Sequence, residues 1–177
     1  MLHKEQKIAV AFFILYWVSW VLPTGFKDLY GYRCALLVHA FMFHGMGQIK
    51  DVVTFNKSFD LLEICSAFSR ILVSVPNTLF ISSFFLILKK WKNSFYLMGP
   101  CVVGMLYWII LGYKGIGYYL WLMSGLGLFF LSVVEYSNQT GIKGIRLFVS
   151  KGAYIMYVAI GIVISAYIPQ IIQKYTP

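Results

Sequence analysis

The sequence predicts an all-α integral membrane protein: a single bundle of six transmembrane helices, or five if the second segment does not cross, joined by short loops. Three observations predict it. Of 177 residues, 60% are hydrophobic and only 12% charged, about half the charged share of an ordinary soluble domain. The apolar residues fall in long uninterrupted runs and the mean hydropathy is +0.76, which places most of the chain in lipid. The runs do not alternate as barrel strands would, and helices satisfy their own backbone groups in hydrocarbon.

The first span is 8–22, an apolar run behind a short basic lead and closed by Pro23-Thr24-Gly25. A signal peptide has a similar outline, but no small-residue cleavage pattern follows. Tyr16, Trp17 and Trp20 suit an interfacial aromatic belt, so the segment reads as an uncleaved helix. The second, 34–53, carries His39, His44 and Gln48; it either spans or lies at the interface.

The third span, 71–88, follows a polar lead-in. Asp60, Glu63, Ala67, Arg70, Ser74 and Asn77 recur every three or four residues, which puts them on one helix face. Its 12 aliphatic and phenyl residues favour insertion by roughly 4 to 7 kcal/mol. Pro76, Asn77, Thr78 and three serines offset much of that, so this span belongs inside the bundle. Pro76 is expected to kink it and to free the carbonyl of Leu72. The fourth and fifth spans, 95–113 and 116–134, form a hairpin around Lys114-Gly115. The sixth, 152–172, follows the polar segment 136–151. Internal repeats and a domain boundary are absent, so residues 1–177 form one domain.

Charge gives orientation. The net charge is +9, and the basic residues sit between apolar runs, where they anchor helix ends to anionic headgroups. No basic face remains for nucleic acid. With six spans, seven basic residues fall on the N-terminal side and eight on the other, which decides nothing. The loops 89–92 and 136–151 are the most basic beyond the third span and are expected to be cytoplasmic. Five spans then put the N-terminus with them; six put it opposite.

Candidate functional residues are few. Arg70, Ser74 and Asn77 form a candidate intramembrane polar site, with Pro76 as its kink; broken helices of this kind hold ions or solutes in transporters. Glu63 is a candidate helix-pairing charge. It lies two turns, about 10 Å, from Arg70 and cannot reach it within one straight helix. His39 and His44 are about 140° apart around a helix, unlike the i, i+4 pair of a metal site. Cys34, Cys65 and Cys101 form no CxxC pair. No cofactor, metal or catalytic set is expected. Small residues at Ser124, Gly125, Gly127, Gly161 and Ser165 allow close helix approach, within one chain or in a homo-oligomer.

In format the chain resembles small polytopic inner-membrane proteins that exclude a second conjugating plasmid or phage, or confer toxin immunity. The resemblance implies a non-enzymatic role: contact with another integral membrane protein among the membrane lipids, through the loops 50–59 and 136–151 and the polar stripe. The alternatives are a small transporter or channel subunit using Arg70, Ser74 and Asn77, and a lipid-directed membrane enzyme needing His39 or His44 beside an acid.

Overall fold

The structure is a computed structural model that describes residues 3–25, 29–54, 67–68, 71, 74–110 and 114–175. It is helical throughout, without a strand among the described residues. The helices are α1 (Lys4–Trp20), α2 (Gly31–Thr54), α3 (Pro76–Leu88), α4 (Ser94–Ile110), α5 (Ile116–Thr140) and α6 (Lys151–Tyr175), with a 3-10 turn at Gly144–Val149.

Several boundaries differ from those expected. The segment 34–53 lies within one continuous helix of 24 residues, about 36 Å long. α5 runs six residues past 134 because Tyr136 turns into the core and Gly141, at φ 70°, supplies the left-handed stop. The polar segment 136–151 is therefore part helix, part 3-10 turn. Pro76 does not kink a continuous span. Helix is interrupted at Val75, and Pro76 sits at the start of α3, where its missing N–H costs nothing. By length and composition, one helix among the described residues, Ile116–Thr140, suffices to cross a membrane; Pro76–Leu88, Ser94–Trp108 and Ala153–Ile164 are shorter apolar segments.

α4 and α5 form the centre. α4 packs against α3, α5 and α6, while α5 also carries α1. The seam between α1 and α3 is aromatic. Phe13 stacks on Phe84 at 4.0 Å and Tyr16 on Phe80 at 4.2 Å, with ring planes within 15°. Phe13 and Tyr16 are three apart and Phe80 and Phe84 four apart, so each pair shares a face. Tyr16 is fully buried, which corrects its assignment to an interfacial belt; half-exposed Trp17 remains outside. On α5, Gly125 meets Met105 of α4 and Gly127 meets the ring of Phe12 on α1. The small residues of that helix thus serve contacts within the chain, whereas Gly161 on α6 has open space around it.

Two hydrogen bonds fix which ends lie together. Gln6 Nε2 donates to the carbonyl of Leu88 at 2.7 Å, and Gln139 Nε2 donates to the carbonyl of Lys90. The start of α1, the turn after α3 and the end of α5 therefore share one end of the bundle. That end exposes Lys4, Lys7, Lys89, Lys90, Lys92, Lys143, Arg146 and Lys151. The opposite end joins the close of α1 to the start of α5 and exposes Arg33 and Lys114.

Candidate functional site

At that opposite end the chain is clamped backbone to backbone. Thr24 N–H donates to Leu29 O at 2.9 Å and Gly31 N–H to Leu22 O at 3.1 Å, closing the turn after α1. The carbonyls of this turn cap α5: Gly115 N–H donates to Thr24 O at 2.6 Å and Gly117 N–H to Pro23 O at 2.9 Å. Helix starts leave such N–H groups orphaned, and no side chain caps this one. The approach requires glycine. A Cβ on Gly117 would lie 2.7 Å from Leu22 O, and one on Gly115 would collide with the backbone of Thr24 and Gly25.

Beside the clamp lies a partly open cavity of about 40 Å³, room for roughly three waters. Ser19 and Trp20 of α1 and Thr24 of the turn form one wall. Gly31 and Cys34 of α2 form another, and Asn77 of α3, Trp108 of α4, and Gly117, Tyr118 and Trp121 of α5 complete it. Four of its ten lining residues are aromatic and none is charged.

Hydrogen bonds lock these walls. Trp121 Nε1 donates to Asn77 Oδ1 at 2.9 Å, tying α5 to α3. Tyr118 Oη donates to Met105 O at 2.6 Å, and Cys101 Sγ donates to Pro76 O at 3.3 Å. Thr24 Oγ1 lies 2.7 Å from Leu29 O and 3.3 Å from Cys34 Sγ. A hydroxyl has one proton, and a carbonyl only accepts. Thr24 therefore donates to Leu29, and the Cys34 thiol donates to Thr24.

Of the residues singled out from sequence, Asn77 stands in the cavity wall and is 7% exposed. Ser74 is buried beside the interruption without lining the cavity. Pro76 opens α3. Arg70, Glu63 and Asp60 lie outside the described residues, as does the loop 55–59. His44 is exposed, and among the described residues no group of three His, Cys, Asp or Glu side chains gathers to hold a metal.

Sequence reasoning missed Trp20, Trp108, Tyr118 and Trp121 as one set, because they come from three helices. The available signal was the Gly115-Ile116-Gly117 pattern opposite Pro23-Thr24-Gly25, two glycine-bearing turns that permit contact. Compared with known proteins, the chain matches no family model, no curated protein and no solved structure.

Proposed function

We propose that the chain is a multi-pass helical protein of a cell membrane, acting without covalent chemistry by contact with another integral membrane protein, in the manner of exclusion or immunity proteins. The observation that supports it is its exposed apolar surface. Ile14, Val18 and Val21 on α1, Met123, Phe130 and Val134 on α5, and Tyr154, Val158 and Ile164 on α6 are 43% to 68% exposed. A water-soluble monomer rarely tolerates so wide an apolar surface; lipid requires it.

The arrangement of ends favours the five-crossing form. α1 ends and α3 begins toward the same end of the bundle, so the chain between them makes no net crossing. By the positive-inside rule the end with eight exposed basic residues is cytoplasmic, and the N-terminus lies there too, beside 89–92 and 136–151. In that last segment Ile145 and Val149 are 84% and 62% exposed next to Arg146, which supports it as the partner-contacting loop. A photo-crosslinking residue at 145 is expected to give one discrete adduct with an integral membrane protein, lost on Val149→Asp. Adducts with lipid alone would contradict partner contact.

The cavity at Asn77 favours a second reading, a small transporter or channel subunit. Asn77→Leu removes the acceptor of Trp121 Nε1 at a cost of about 1–3 kcal/mol. It is expected to abolish solute flux in vesicles at unchanged membrane insertion. Unchanged flux in this variant would sink that reading.

A further inference from the structure

We propose that the Asn77 cavity binds a small monovalent anion of about the size of chloride. This deepens the solute-site reading of the cavity and rests on it.

Asn77 is 93% buried, since it is 7% exposed, and it lines the cavity. Its Oδ1 is taken by the Trp121 indole, and no described residue accepts from its Nδ2. Holding Oδ1 on Trp121 fixes the amide plane and assigns the donating edge, because the indole N–H donates only. An amide nitrogen without an acceptor among the described residues, at the wall of a volume for roughly three waters, offers its protons to an acceptor placed there.

The field there has the same sign. Three helices present their starts to the cavity: α2 through Gly31 and Cys34, α3 through Asn77, and α5 through Gly117. Helix starts carry partial positive charge, and two of these helices are 24 and 25 residues long. Two helix ends, at Trp20 of α1 and Trp108 of α4, oppose them. The first N–H groups of α5 are spent on Pro23 and Thr24, so α5 contributes field and no direct bond. Arg33 and Lys114 are exposed at this end, and none of the lining residues is acidic.

Size and wall chemistry narrow the ligand. A volume for roughly three waters admits a halide with a water and excludes a phosphate monoester with its substituent. The aromatic walls suit a weakly hydrated anion at ring edges, where the quadrupole is positive. A divalent anion would bring twice the charge into a site whose lining offers only dipoles against it.

Tryptophan fluorescence reads this directly, because Trp20, Trp108 and Trp121 line the cavity. The full-length chain in detergent micelles is titrated with sodium iodide, with ionic strength held by sodium gluconate. The expected result is a saturating quench whose half-point rises at least threefold when chloride replaces gluconate, with sodium and choline chloride equally effective. Asn77→Asp keeps an acceptor for Trp121 and replaces the free donor with a negative charge, and is expected to raise the iodide half-point at least tenfold. A quench linear in iodide and indifferent to chloride in the unaltered chain overturns the proposal, whether or not the variant folds. An unchanged half-point in a folded Asn77→Asp overturns it too. The flux result for Asn77→Leu separates the two ideas: flux lost without anion binding leaves a solute site of another chemistry.

Discussion

Gly117→Val is expected to lower the thermal stability of the purified protein sharply in mild detergent. The new Cβ would meet Leu22 O at 2.7 Å and Ser19 O at 2.9 Å, and both are backbone atoms at the close of α1. Relief requires that the turn withdraw from the start of α5. Overpacking costs about 1–3 kcal/mol, and each of the two lost capping bonds, from Gly115 and Gly117, adds about 0.5–1.5. The sum, about 2–6 kcal/mol, is a large share of the usual 5–15 kcal/mol. Gly161→Val is the control, since Gly161 has open space around it and should change stability by only about 0.5 kcal/mol. Thermal midpoints read by size-exclusion fluorescence should fall sharply for the first variant and little for the second. Equal midpoints would mean that the clamp does not hold α1 to α5.

Phe80→Ala should also rank among the most damaging single changes. Phe80 is fully buried, stacked on Tyr16 at 4.2 Å and flanked by Phe13 at 6.4 Å. In a water-soluble core such a truncation costs about 3–5 kcal/mol. In the bilayer proposed for this chain the gain from leaving water falls away and packing remains, so about 2–3 kcal/mol is expected from lost dispersion and the void. A cycle with Tyr16→Ala should show coupling of about 0.5–1.5 kcal/mol, the usual value for an aromatic pair. Additive losses would show that the rings are neighbours without being partners.

The helical class and nearly every helix were legible from hydropathy, because a long apolar run has one backbone solution in lipid. Boundaries were less legible. The end of α5 depends on Tyr136 finding a pocket between Phe95 and Tyr96, a contact from another helix that periodicity does not encode. Pro76 was seen as a disturbance within a span. Its place at the first residue of a new helix follows from the interruption at Val75, which a run of apolar letters conceals. Of the candidate site, Asn77 was found because one amide in an apolar run is conspicuous. Its indole partner was not, because Trp121 is 44 residues away and looks like any interfacial tryptophan. The placement of the N-terminus turned on Gln6, an unremarked polar residue whose amide reaches the last carbonyl of α3.

Side-specific labelling of single cysteines tests the membrane arrangement most directly. In a background lacking Cys34, Cys65 and Cys101, cysteine is placed at Glu5, Lys92, Lys143 or Lys114, and intact cells receive a membrane-impermeant maleimide. Labelling of Lys114→Cys in intact cells, with Glu5→Cys, Lys92→Cys and Lys143→Cys reacting only after permeabilisation, is the result expected of a five-crossing bundle. Labelling of Glu5→Cys and Lys114→Cys from the same side, or recovery of the chain in the soluble fraction with all four sites open, would contradict it.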